Sequence, residues 1–152
     1  MKNIIPIIVG VLVALTSNVV AQTASVSVDN PNLAPGGGGV VLTASVAYDG
    51  QPGALGVAVQ LPVGWTLVSV AGVNVPAIAP ESGSTGTLEF AYTQVPANGV
   101  RFSLVVRYPE KAVSASVVPT VLVRSNGKLA TLLPAPIAFR GAEAKPDEAA
   151  ER

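Results

Sequence analysis

The 152-residue chain contains neither cysteine nor histidine, and only 12% of its residues are charged. Without cysteine, the fold can hold no disulfide and no thiolate metal site. Without histidine, it lacks the commonest general base and the commonest metal ligand. Nucleophilic catalysis by a Ser-His or Cys-His pair is therefore excluded.

Charge is also balanced, with nine basic and nine acidic residues. A chain of zero net charge offers no large basic surface, so nucleic acid is not an expected partner. Paired carboxylates are the remaining catalytic possibility. Between residues 22 and 140 the acidic residues are Asp29, Asp49, Glu81, Glu89 and Glu110. Asp29 and Asp49 lie in turn sequences, and of the five only Glu89 lies within a predicted strand, so we expect no enzyme.

Glycine and proline are plentiful, at 15 and 13 residues, and they fall between apolar runs. Many short strands joined by tight turns have this composition. Alternating or apolar runs predict strands over 24–28, 40–48, 55–61, 65–70, 87–92, 100–108, 115–124 and 129–133, with 137–139 as a further short candidate. The prediction is an all-β fold, a two-sheet sandwich of about eight short, mainly antiparallel strands.

The central stretch, residues 55–71, reads as two strands and the corner between them. Residues 61–64 have the composition of a type I turn, with glycine at the fourth position. Trp65, the only tryptophan in the chain, is the predicted anchor of the core. Elsewhere, residues 72–86 predict a long loop between the sheets, Pro119 an edge strand or bulge, and residues 126–127 (Asn-Gly) a hairpin.

The first 21 residues have the pattern of a secretory signal peptide, with Lys2 followed by an apolar run at 4–15. Residues 19–21 (Val-Val-Ala) fit a cleavage site that leaves Gln22 as the new N-terminus. The alternative is an uncleaved anchor, but about 12 apolar residues fall short of the roughly 20 that span a bilayer. We expect an exported protein with a folded domain at 22–140 and a charged tail at 141–152, without membrane insertion after cleavage.

The sequence offers four candidate sites. Residues 36–39 are all glycine, but a strand follows them, which favours a turn over a phosphate-binding loop. Residues 29–32 offer oxygens for calcium, and turn chemistry is the better interpretation. Tyr48, Tyr92 and Tyr108 each lie at a strand end, where a ring can close the core while its hydroxyl stays wet, or serve a sugar at the rim.

The fourth candidate is the polar face of the strand at 100–108, which carries Arg101, Ser103, Val105 and Arg107. Glu89 joins this face if the strands at 87–92 and 100–108 pair. The face then forms either a solvated surface with an exposed ion pair or a flat protein-binding sheet.

The strand pattern resembles that of cohesins and, more loosely, of carbohydrate-binding sandwiches. The similarity covers residues 24–133. Its main part is at 55–70, where an alternating strand opened by Leu-Gly is followed by a proline corner and a leucine-valine strand. A Pro-Gly turn at 35–36 and a later strand pair at 86–90 and 102–106 also match. The resemblance implies a β-sandwich interaction module and makes calcium at residues 29–32 conceivable. From the residues themselves we expect no metal and no cofactor, and no binding residue is assigned.

The leading hypothesis is an exported bacterial module, cohesin-like, that binds another protein or assembles at the envelope or outside the cell. Two alternatives stay open. One is a carbohydrate-binding domain with a polysaccharide as its partner, and the other is a structural subunit that polymerises through exposed strand edges.

Overall fold

The structure is a computed structural model that describes residues 22–141. Its strands are β1 (Thr23–Val28), β2 (Gly38–Ala47), β3 (Ala54–Gln60), β4 (Thr66–Gly72), β5 (Thr87–Ala91), β6 (Val100–Tyr108), β7 (Ala115–Ser125), β8 (Lys128–Leu132) and β9 (Ile137–Phe139). No helix in this part of the chain is long and apolar enough to cross a membrane. The predicted signal peptide (1–21) and all of the predicted tail except Gly141 lie outside the described residues.

The strands form two antiparallel sheets, in the orders β1-β2-β6-β4 and β5-β3-β7-β8, with β9 paired to β7. Each strand turns one set of alternate side chains inward. In β6 the even-numbered residues from Val100 to Tyr108 are buried, and the odd-numbered residues between them are more exposed. Stacked faces of this kind enclose a sandwich core. The predicted all-β two-sheet sandwich is confirmed, with nine strands in place of about eight.

Trp65 lies in the core and is 2% exposed. Its ring contacts Phe139 edge-on at a centroid distance of 5.0 Å, and Tyr108 at 5.6 Å. Trp65 immediately precedes β4, Phe139 lies in β9 and Tyr108 ends β6, so the indole joins elements of both sheets. The predicted position of Trp65 in the core is confirmed, although the residue precedes β4 and is not part of it.

Two tight turns show how local sequence sets the chain direction. The hairpin between β7 and β8 has positive φ at both Asn126 (51°) and Gly127 (75°), as a type I′ turn requires, and confirms the prediction. The corner before Trp65 differs by one residue from its prediction. The Trp65 amide donates to the Pro62 carbonyl (3.1 Å), which puts Gly64 (φ 85°) at the third position, where type II turns need glycine.

Pro119 lies in an interior strand, so the prediction of an edge strand is wrong for β7 as a whole. At Pro119 itself, however, β7 has the character of an edge. Residues 118–120 pair with β3, whereas β9 pairs with 115–117 and β8 with 121–125. Proline, which lacks a backbone N–H, is thus placed where β7 has a strand partner on one side.

The loop after β4 carries the chain to the other sheet, as predicted for residues 72–86, and it also covers two strand edges. The Leu67 amide donates to the Ser84 carbonyl (2.9 Å), and the Gly83 amide donates to the Leu67 carbonyl (2.7 Å). Ile78 forms an antiparallel bridge with Ala91 of β5. Hydrogen bonds from this loop thereby protect the edges formed by β4 and β5.

Candidate functional site

All seven aromatic rings point into the sandwich, six of them buried and that of Tyr92 half-buried. Phe90 and Phe102 pack against each other at 5.3 Å between centroids. The prediction that the tyrosine rings close the ends of the core is therefore confirmed. A flat row of exposed rings, the usual platform for stacking against sugars, does not occur on this chain, since every aromatic residue lies within 22–141.

The tyrosine hydroxyls differ from the prediction because they bond to the protein backbone. The Tyr48 hydroxyl donates to the Pro96 carbonyl (2.6 Å) and the Tyr92 hydroxyl to the Asn74 carbonyl (2.5 Å), whereas the Tyr108 hydroxyl accepts from the Ala34 amide (2.9 Å). Burial raises the pKa of Tyr48 and of Tyr92, and for Tyr92 the neighbouring Tyr48 raises the pKa further. The three rings therefore tie loops to the sandwich.

Turn chemistry accounts for the oxygens at 29–32, as predicted. Asp29 Oδ1 accepts from the Val41 amide (3.1 Å), and Asn30 Oδ1 accepts from the Asn32 amide (3.0 Å). The glycine run is also confirmed as a turn, since Gly36 and Gly37 have positive φ and β2 begins at Gly38.

Glu89 does not share a face with Arg101 and Arg107, so that prediction is wrong. β5 pairs with β3 in one sheet, and β6 pairs with β2 and β4 in the other. Glu89 is opposite Ala58 in the register. The reason is the loop after β4, which moves the chain to the second sheet before β5 and lets it return at β6. Arg101 and Arg107 do lie exposed on the outer face of β6, with Ser103 bonded to Thr43 (3.1 Å).

The outer face of the other sheet holds a trough along β3, which we call the β3 furrow. Its floor consists of the small residues Ala54, Gly56 and Ala58. The register places Glu89 and Thr120 on either side of Ala58, and Ala91 and Leu122 on either side of Gly56. Arg124 and Leu129 line the end next to Ala54. The depression forms because the middle strand and Ala91 carry small side chains, whereas Glu89, Thr120 and Leu122 beside them are larger.

The β3 furrow is apolar at its centre and charged at its ends. It comprises two adjoining hollows of about 230 and 510 Å³ that share Gly56, Ala91 and Leu122. Leu122 is 41% exposed and Leu129 57% exposed, which is unusual for large aliphatic side chains grouped on one face. Glu89 lies toward one end of the furrow and Arg124 toward the other.

Sequence reasoning missed the β3 furrow. The sequence feature that could have indicated the furrow is the set of outward-facing residues in β3. These are Ala54, Gly56 and Ala58, which alternate with the buried residues 55, 57 and 59. Small residues at outward positions become informative only when the strand is known to be central, with larger residues on both neighbours.

No protein-family model and no curated protein matches the chain. Among solved structures, the chain is similar to the full-length major pilin SpaD from Corynebacterium diphtheriae, with a TM-score of 0.55 and 8% identity over 77% of this chain and 35% of that one. It is also similar to a non-cellulosomal cohesin from the archaeon Archaeoglobus fulgidus, with a TM-score of 0.50 and 10% identity over 77% and 89% of the two chains.

A third similar structure is the chitin-binding domain of a chitinase from Pyrococcus furiosus, with a TM-score of 0.46 and 22% identity over 73% of this chain and 93% of that one. At these identities the likeness is one of fold. At that level, the expected resemblance to a cohesin-like β-sandwich is confirmed.

Proposed function

We propose that the chain is an exported, non-catalytic β-sandwich module that binds another protein through the β3 furrow. The observation that carries the proposal is the furrow itself, a trough on the outer face of a sheet with a floor of small residues and with Leu122 and Leu129 exposed along one side. The signal-peptide pattern at residues 1–21 supports export to the periplasm, the cell surface or the medium.

The dimensions of the furrow favour a helical partner. Its walls, β5 and β7, lie on either side of β3 and are therefore separated by two strand spacings, roughly 10 Å. Because this spacing is measured between backbones, the furrow admits one row of side chains. An α-helix, about 10–12 Å across with its side chains, would lie on the walls and insert one stripe of side chains between them. From Ala54 to Ala58 the floor extends for about 13 Å, which accommodates between two and three helical turns.

The side chains along the furrow define the face that such a helix must present. Leu122 and Leu129 would pack against aliphatic side chains of the partner that recur at helical spacing. Glu89 near one end and Arg124 near the other favour a basic and an acidic residue at the matching ends of the helix. We therefore expect an amphipathic helix of the partner protein to lie along β3.

The two alternatives fit the structure less closely. All three tyrosine rings are buried or half-buried, and this weighs against a carbohydrate-binding domain that stacks sugars on exposed aromatics. Polymerisation through strand edges would have to use β1 or β8, because the loop after β4 already covers the edges of β4 and β5 with hydrogen bonds.

The proposal is tested by filling the furrow in Gly56→Val. A Cβ added at Gly56 meets its nearest neighbour, the Phe90 carbonyl, at 3.7 Å, an ordinary contact, so the variant is expected to fold. Gly39→Val is the matched control, because Gly39 faces outward on β2 of the other sheet and has similar space around it. Each protein serves as bait in the exported fraction of the source cells, and the captured proteins are quantified by mass spectrometry.

We expect a protein that is captured by the wild type and by Gly39→Val and is lost with Gly56→Val. When this partner is titrated against the labelled module, the largest NMR shift changes should fall at residues 54–58 and 120–124. Capture that is equal for the two valine variants, or shift changes confined to the other sheet, would show that the furrow is not the binding site.

A further inference from the structure

A polar hollow of about 360 Å³ lies on the other sheet, at the end where β1 begins, β2 ends and β6 begins. We call it the Asn98 hollow. Six polar side chains line it, those of Thr23, Ser25, Ser45, Asn74, Asn98 and Arg101. No carboxylate and no aromatic ring is among its lining residues. Its volume is at the lower end of the range typical of small-molecule sites, about 300–1,000 Å³.

The walls of the hollow are held in place before any ligand arrives. The Asn98 amide donates to the Gly50 carbonyl (2.9 Å), and Asn98 Oδ1 accepts from the Gly50 amide (3.3 Å). The first bond fixes the backbone at Asn98, and the second orients its side chain and leaves the NH₂ group available as a donor. Asn74, the other amide residue in the lining, has its backbone carbonyl fixed by the hydrogen bond that it accepts from the Tyr92 hydroxyl.

Gly99 allows the turn that carries Asn98 to approach β2 closely. Its φ is 130°, and a Cβ there would lie 2.8 Å from the Val46 carbonyl oxygen, too close for any side chain. Glycine at this position is therefore required by the close approach as well as by the backbone angle.

Arg101 determines the charge that the hollow prefers. The register aligns Ser25, Ser45 and Arg101 across β1, β2 and β6, so that two hydroxyls and a guanidinium form one row. Arg101 is the only charged residue in the lining. A guanidinium binds a carboxylate through two parallel hydrogen bonds, and this geometry is specific as well as strong.

We propose that the Asn98 hollow binds an acidic saccharide, a sugar chain that carries carboxylate groups. Arg101 binds the carboxylate of a uronic acid residue. The amide side chains of Asn74 and Asn98 and the hydroxyls of Ser25 and Ser45 bind ring hydroxyls, each of which donates and accepts hydrogen bonds as these groups do. This site uses polar contacts in place of aromatic stacking, and it is on the opposite sheet from the β3 furrow.

The test is a calorimetric titration of the full chain with tetragalacturonate, and with maltotetraose as the neutral probe. The matched variants are Arg101→Gln and Arg107→Gln. Both arginines are exposed on the outer face of β6, about 20 Å apart, and Arg107 is not part of the hollow. We expect Arg101→Gln to weaken tetragalacturonate binding about tenfold or more and Arg107→Gln to change it less than about twofold.

A third variant, Asn98→Gly, removes the amide while keeping a residue that accepts the φ of 66° at this position. It should weaken binding several-fold with only a small fall in Tm, because the one interaction it removes from the fold is the exposed hydrogen bond from the Gly50 amide to Asn98 Oδ1. The Gly56→Val variant should bind tetragalacturonate as the wild type does, so this test and that of the β3 furrow succeed or fail separately. No heat of binding with tetragalacturonate, equal affinity for maltotetraose, or equal loss in the two arginine variants would overturn the proposal.

Discussion

Replacing Trp65 with alanine should remove a large share of the stability of the sandwich. The indole is 2% exposed and contacts aromatic rings from β6 and β9. Burial of such a ring hides roughly 150–250 Å², which at about 25 cal/mol per Å² is at most about 4–6 kcal/mol. Truncations of buried aromatics cost about 3–5 kcal/mol, and the whole fold is stabilised by about 5–15 kcal/mol. The chain has no disulfide to offset the loss.

Urea denaturation and calorimetry measure this cost directly. For a domain of about 120 residues, an unfolding entropy of about 2.1 cal/mol/K per residue converts the loss into a fall in Tm of about 12–20 °C. Val63→Ala is the control, because Val63 is two residues away and 101% exposed, and its Tm should hardly change. A soluble Trp65→Ala protein with less than about 1 kcal/mol of destabilisation would refute the view that this residue anchors the core.

Two further predictions concern titration and backbone conformation. Burial raises the pKa of Tyr48 and of Tyr92 above the ordinary value of 10.0, so the folded state keeps these protons to higher pH than the unfolded chain does. The free energy of unfolding should therefore be unaffected below about pH 10 and fall as pH rises above it. Urea unfolding from roughly pH 9 to 12 should show a shallower fall for Tyr92→Phe than for the wild type. Identical slopes of unfolding free energy against pH in the two proteins would contradict the prediction. Gly127→Ala should cost about 1–2 kcal/mol in urea denaturation, because Gly127 has a φ of 75° and a Cβ there meets nothing within 4 Å, which leaves strain alone. Gly56→Ala is its control, expected to be neutral or stabilising by up to about 1 kcal/mol, since Gly56 does not have a positive φ; equal destabilisation in the two variants would show that φ is not the cause.

The core of this protein can be read from its sequence. In β6 the apolar residues from Val100 to Tyr108 alternate with polar or less buried ones, and the structure buries the predicted set. The hairpin at residues 126–127 and the burial of Trp65 follow from equally local signals. Alternation depends on the two-residue period of a strand, which is a property of the backbone and requires no knowledge of its partners.

The partners of each strand could not be read in this way. Consecutive strands such as β5 and β6 are expected to pair, which would put Glu89 on the face of Arg101, whereas the loop between β4 and β5 puts them in different sheets. For the same reason the β3 furrow and the Asn98 hollow were invisible. Each is formed by residues far apart in sequence, such as Gly56 with Leu122 and Ser25 with Arg101, which share a face only through long-range pairing.

The sequence by itself determined the fold class, the buried faces, several of the turns and the exclusion of His- and Cys-dependent chemistry. These follow from residue type and from a local period. Only the tertiary structure decided which outward-facing residues lie side by side, because strand pairing brings together distant segments whose register depends on the packing of the whole core.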